Sequence, residues 1–182
     1  MTNVLFVQGG ADGAYTADRN LVDRLQEALG KTPKIRFPKI AGLDELDWTN
    51  TKRGLTAQLR KLPAGAVVVA HSVGAAATLK LLSEGLEVTL AHLFLLAAPY
   101  NGSDGEWGDS DFAFAADFGK HLPHDLPITL WHGRDDSMIP PANAERYRRK
   151  LPHAKVVLMK GYDHQFTASL TFLADGIRDA IK

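Results

Sequence analysis

The sequence predicts an α/β fold, a three-layer α/β/α sandwich around a mostly parallel sheet of about six strands. Three observations predict it. Short, almost continuously apolar runs recur along the chain, as strands buried on both faces require. Longer segments with helical apolar spacing separate them, which is the rhythm of parallel strands joined by helical crossovers. No internal repeat, low-complexity stretch or linker breaks that rhythm, so the 182 residues are expected to form a single domain, 1–182, with a sizeable core.

The elements follow in order. Val4 to Val7 reads as a strand that ends at Gly9-Gly10. From about Thr16 to Leu29, Leu21, Leu25 and Leu29 recur every four positions, and Gly30 stops the helix. Lys34 to Phe37 is a short strand, and Thr51 can cap a helix carrying Leu55, Leu59 and Leu62. Ala66 to Ala70 is a buried strand, followed by an Ala-rich helix over Val73 to Ser83. Leu90 to Ala98 is a strand closed by Pro99, and Ile128 to His132 is the next. Pro140-Pro141 starts a helix reaching about Leu151, since proline suits a first helical turn. Lys155 to Lys160 is the last strand, and the final helix places Phe166, Leu170, Leu173, Ile177 and Ile181 on one stripe. A short irregular insertion, about 100–127, is rich in Gly, Asp and aromatic residues, and a loop that long in a small domain is usually functional.

Composition narrows the function. Lys plus Arg number 21 and Asp plus Glu number 21, so no basic excess points to nucleic acid or an anionic membrane. No cysteine is present, which excludes disulfides, a thiol nucleophile and thiolate metal sites. No spacing of His and carboxylates suggests a metal site, and no cofactor is expected. The opening Met1-Thr2-Asn3 lacks a basic region, Val4 to Val7 is too short for a signal-peptide core, and no run is long enough to span a bilayer. A cytoplasmic protein is the expectation.

The chemistry centres on Val67-Val68-Val69-Ala70-His71-Ser72-Val73-Gly74-Ala75-Ala76-Ala77. A β-branched run, a serine flanked two residues away on each side by small residues, and an Ala-rich run have the layout of a nucleophile elbow. There the serine sits on a strained strand-to-helix turn, which is why Ala70 and Gly74 must be small. Read as structure alone, Ser72 caps the helix that follows. A serine hydroxyl needs a base, and the base needs a carboxylate to orient it. In an α/β sheet such groups gather at the carboxyl ends of the strands. After Ile128 to Trp131 comes His132-Gly133-Arg134-Asp135-Asp136-Ser137-Met138-Ile139-Pro140, and after Lys155 to Lys160 comes Gly161-Tyr162-Asp163-His164. Read functionally, these supply the acid and the base, His164, in the order Ser, Asp, His. Read as structure alone, the aspartates cap a turn or helix and His164 is a surface histidine.

Taken together, Ala70-His71-Ser72-Val73-Gly74, His132-Gly133-Arg134-Asp135-Asp136 with Ile139-Pro140, and Gly161-Tyr162-Asp163-His164 resemble a compact α/β-hydrolase. The chain is similar over essentially its full length to small serine hydrolases of the retinoblastoma-binding-protein type. The resemblance implies the minimal α/β-hydrolase fold and a Ser72-Asp136-His164 triad. The family's acid stands four residues after the histidine of its His-Gly pair, which makes Asp136 the acid and Asp135 the alternative. His71 is often a histidine in the family without serving as the base.

An oxyanion needs two donors. One is the backbone N–H of Val73, directly after the serine. The resemblance places the second in Gln8-Gly9-Gly10, where relatives carry His-Gly-x, so the donor is the N–H of Gly10, with Ala11 as the alternative; Gln8 departs from the family pattern. His92 reads as a core residue, and His121, His124 and His153 as surface groups. Tyr100, Trp107, Phe112, Phe114 and Phe118 either cover the core or line a substrate pocket, for which Trp107, Phe112 and Phe114 are the candidates. The expected activity is cleavage of small carboxylic esters through an acyl-enzyme, with a small-molecule acyl substrate as partner and neither nucleic acid nor membrane. Thioester or amide cleavage by the same triad, or protein binding on a hydrolase scaffold, are the alternatives.

Overall fold

The computed structural model describes residues 4–102 and 110–182. Among them the chain alternates β1 (Val4–Val7), α1 (Ala14–Leu29), β2 (Ile35–Arg36), α2 (Trp48–Leu59), β3 (Ala66–His71), α3 (Ser72–Ser83), β4 (Leu90–Leu96), β5 (Ile128–Gly133), α4 (Ala142–Lys150), β6 (Lys155–Met159) and α5 (Thr171–Ala180). The strands form one sheet in the order β2-β1-β3-β4-β5-β6, and every pairing is parallel. The sheet expected to be mostly parallel is therefore wholly so. Both faces are covered. On one, Leu55 and Leu59 of α2, the Ala-rich α3 and Tyr147 of α4 pack against Leu5, Val68 and Leu95. On the other, Leu21 and Leu25 of α1 and Leu173 and Ile177 of α5 pack against Phe6, Val69 and Phe94.

This order creates a switch point. From β1 the chain leaves to one side for β2 and then crosses to the other for β3, so the loops after β1 and β3 part and leave a crevice at their carboxyl ends. Gly9-Gly10 follows β1 there, and Ser72 follows β3.

Four boundaries depart from expectation for identifiable reasons. The strand expected over Lys34 to Phe37 shrinks to Ile35 and Arg36, which pair with Val4 and Leu5 at the sheet edge between two prolines, Pro33 and Pro38. The cap of α2 is Asp47, whose side chain accepts the Asn50 amide at 3.0 Å; Thr51 lies inside the helix. The strand expected to reach Ala98 ends at Leu96, because Ala97 turns to φ 50°. The last helix starts at Thr171. Phe166 and Leu170 are buried as their periodicity implied, but Phe166 sits in a turn at φ 50°.

Candidate active site

Ser72 stands at the apex of the turn between β3 and α3 with φ 50°, a conformation that costs a non-glycine residue about 1–3 kcal/mol and survives only where its surroundings enforce it. The enforcement is visible. A Cβ on Gly74 would lie 1.9 Å from the Gln8 carbonyl oxygen, so α3 can leave the turn this close to β1 only with glycine there. Ala70 is fully buried opposite Val7 in the sheet. All five non-glycine residues of positive φ among the described residues (Ala11, Leu46, Ser72, Ala97 and Phe166) lie in segments that follow strands, at the carboxyl edge of the sheet. Backbone strain is thus concentrated where the candidate chemistry is.

The segments after β5 and β6 meet at the same edge. A Cβ on Gly133 would lie 2.0 Å from the Tyr162 carbonyl oxygen, so glycine lets the two loops pack backbone to backbone, and the Asp135 amide donates to that carbonyl at 3.1 Å. Asp136 turns inward and is 5% exposed, whereas Asp135 faces solvent. His164 Nδ1 lies 2.8 Å from Asp136 Oδ2. Asp136 Oδ1 accepts the amides of Met138 and Ile139 at 2.9 and 2.8 Å. Burial alone would raise the Asp136 carboxyl. Its bonds to the imidazoles of His132 and His164 and to the Ile139 amide outweigh that and hold it well below the usual carboxylate range. It is a fixed negative charge behind the His164 ring. Ser72, His164 and Asp136 lie near each other, with Ser72 and His164 only 8% and 7% exposed. Among the described residues no hydrogen bond joins the Ser72 hydroxyl to the imidazole. In active sites without substrate such contacts are often long and tighten on binding.

The amides near Ser72 sort themselves by their partners. The Gly9 N–H donates to Asp18 at 2.7 Å and the Ala11 N–H to the Leu43 carbonyl at 2.9 Å. The Gly10 N–H has no acceptor among the described residues, and a Cβ on Gly10 would press on Val73 at 2.8 Å. Val73 is in the first turn of α3, where amides have no partner within the helix and the dipole favours negative charge. Gln8 is fully buried as a structural tie: it donates to Asp44 and accepts from the Ile40 amide.

Beside Val73 opens a cavity of about 90 Å³, lined by Leu46, Val73, Pro99, Asn101, Ser110 and Phe112. Phe112 thus reaches the site, packing edge-on against Trp48. Phe114 stacks on Phe118 and meets Tyr100 and Tyr147 in the core. Trp107 lies outside the described residues. His92 is half-buried against Thr129 Oγ1, and His121, His124 and His153 are exposed.

Three contributors escaped sequence reasoning. His132 has its Nε2 2.8 Å from the Ile139 carbonyl oxygen and 3.4 Å from Asp136 Oδ2, steadying the carboxylate from behind. Its position in the His-Gly pair was the available signal. Arg24 of α1 donates to the Gln165 and Phe166 carbonyls at 2.8 and 2.9 Å. Asp18, also on α1, is buried against His71. Nothing in the local sequence marks either α1 residue.

A family model described as serine hydrolase matches residues 22–167, more than half of the chain. Among curated proteins, none matches. Among solved structures, the ydeN gene product of Bacillus subtilis aligns with a TM-score of 0.79 at 16% identity, covering 99% of this chain and 98% of that one. The esterase domain of a Rhodothermus marinus protein aligns at 0.63 and 19% identity, covering 97% and 84%. Est1E of Butyrivibrio proteoclasticus aligns at 0.66 and 13% identity, covering 98% and 86%. At such identities the likeness is one of fold.

Proposed function

The chain belongs to the serine hydrolase family, and from that premise we propose that it cleaves small carboxylic esters by acyl transfer through Ser72, with His164 as base and Asp136 as the acid that orients it. The observation that carries this reading is the 2.8 Å contact of His164 Nδ1 with a buried Asp136, beside a serine held at φ 50°.

The carboxylate fixes the hydrogen of His164 on Nδ1 and leaves Nε2 free to accept. Ser72 Oγ attacks the ester carbonyl as its proton passes to His164 Nε2. The resulting oxyanion is met by the amides of Val73 and Gly10, helped by the N-terminus of α3; that the Gly10 amide has no acceptor among the described residues supports this role. The intermediate collapses as the imidazolium gives that proton to the departing alkoxide, releasing an alcohol. Water then attacks the acyl-enzyme, losing a proton to His164 and returning it to Ser72 Oγ as the acid leaves. No cofactor enters the sequence of steps.

The 90 Å³ cavity beside Val73 is about three water-sized volumes, which suits an acyl group of a few carbons. The test is turnover of p-nitrophenyl esters of graded chain length by wild type and Ser72→Ala. Highest kcat/KM on acetyl to butyryl esters, abolished in the variant, is expected. A preference for long chains refutes the small pocket. No turnover of any ester refutes ester cleavage and points to a thioester or amide substrate, or to a binding role.

A further inference from the structure

A second buried carboxylate–imidazole pair lies behind the site and takes no part in the steps above. Asp18 projects from α1 and His71 ends β3, and each side chain is 1% exposed. His71 Nδ1 lies 2.8 Å from Asp18 Oδ1 in a close ionic contact, and its Nε2 lies 2.9 Å from the His164 carbonyl oxygen. Both neighbours are acceptors. A hydrogen on each ring nitrogen, making the ring an imidazolium that faces a carboxylate, is the state that suits both neighbours. The charges that face it are Asp18 from α1 and Asp136 from the segment after β5, and the His164 ring lies 4.8 Å away between centroids. Burial opposes the charge on both partners, but their mutual attraction and hydrogen bonds outweigh it, lowering Asp18 and raising His71 from their ordinary values.

The pair touches three segments of the candidate machinery. Asp18 Oδ2 accepts the Gly9 amide, next to the oxyanion donor Gly10. His71 adjoins Ser72. Through Nε2 it holds the backbone of His164, and Asp18 Oδ1 also receives Gln165 Nε2 at 3.4 Å. A buried ion pair is a poor source of stability, since desolvation offsets its attraction. Fixing the register of three loops suits it better, because its contacts to the Gly9 amide and the His164 carbonyl are directional and charge-assisted.

Building on the catalytic reading of Ser72 and His164, we propose that Asp18 and His71 are positioning residues, a charged brace that holds the oxyanion loop, the nucleophile and the base loop in mutual register for acyl transfer.

The experiment uses Asp18→Asn, His71→Gln and the double variant, with kcat on p-nitrophenyl acetate normalised to sites titrated by a fluorophosphonate probe. Each single variant is expected to lose roughly 10- to 100-fold in kcat per titrated site with KM within about two-fold, as displacement of about 1 Å at the reacting groups would cause. The double variant is expected to lose no more than the worse single one, because the two residues act as a unit. A merely structural role would lower the melting temperature and the number of titrated sites while leaving kcat per site unchanged, and that result overturns the proposal. So do single losses that multiply in the double variant. Should the variants fail to fold, NMR of the wild type labelled with ¹⁵N-histidine decides: hydrogen on both ring nitrogens of His71 at neutral pH supports the brace, and a neutral ring overturns it. Failure of the probe to label wild-type Ser72 would instead refute the catalytic reading.

Discussion

Replacing Asp136 by asparagine changes one atom and should stop the proposed chemistry. Asp136 Oδ1 accepts two backbone amides, from Met138 and Ile139, while Oδ2 faces His164 Nδ1 at 2.8 Å and His132 Nε2 at 3.4 Å. Asparagine has a single acceptor oxygen, and the two backbone donors claim it. Its NH2 group must then occupy the Oδ2 position and donate towards His164. The imidazole answers by moving its hydrogen from Nδ1 to Nε2, the nitrogen that has to accept the Ser72 proton. Such a tautomer error costs on the order of 10⁴ in kcat, about 5.4 kcal/mol at the transition state. The assay is kcat/KM on p-nitrophenyl acetate, with near-ultraviolet circular dichroism to verify packing. Activity within ten-fold of wild type in a folded variant would refute the assignment of Asp136 as the orienting acid.

Two further outcomes follow from the same geometry. Gly74→Ala sets a methyl 1.9 Å from the Gln8 carbonyl oxygen, so α3 and β1 must part by about 1.5 Å to regain ordinary contact. A loss of roughly 1–3 kcal/mol, or about 2–12 °C in melting temperature, is expected, together with a loss of activity of about 100-fold or more; wild-type values would contradict the close approach. The lowered Asp136 carboxyl makes stability depend on acid. Its folded value is depressed, so its contribution is present above the unfolded value of about 3.9 and is lost as pH falls below it. In urea unfolding, wild type should exceed Asp136→Asn at pH 7, and the gap should begin to narrow near pH 4 and shrink progressively as pH falls towards the depressed folded value. Parallel stability curves would show that the carboxylate is not held by its neighbours.

Much of this was legible in the sequence because burial on both faces writes strands as unbroken apolar runs. Ala66 to Ala70 and Ile128 to His132 could hardly be anything else in a chain of this rhythm. The carboxyl ends of those two strands and of Lys155 to Lys160 point to Ser72, Asp136 and His164. What stayed hidden was set by contacts between distant residues. The stripe from Phe166 to Ile181 continues at helical spacing, yet its first residues pack from a turn, because burial alone does not dictate backbone conformation. Asp18 lies on a helix whose charged residues are otherwise expected in solvent, and the approach of His71 and of the Gly9 amide across the fold gives it buried partners. Phe112 and Phe114, alike in sequence, part company: one lines the cavity beside Val73 and the other stacks in the core.

Mass-spectrometric mapping of the folded protein after reaction with a fluorophosphonate probe tests the central claim most directly, since only a hydroxyl activated by a base displaces fluoride readily. The account predicts one adduct, on Ser72, lost when His164 is replaced by alanine. An unmodified Ser72, or labelling that persists undiminished without His164, would contradict it.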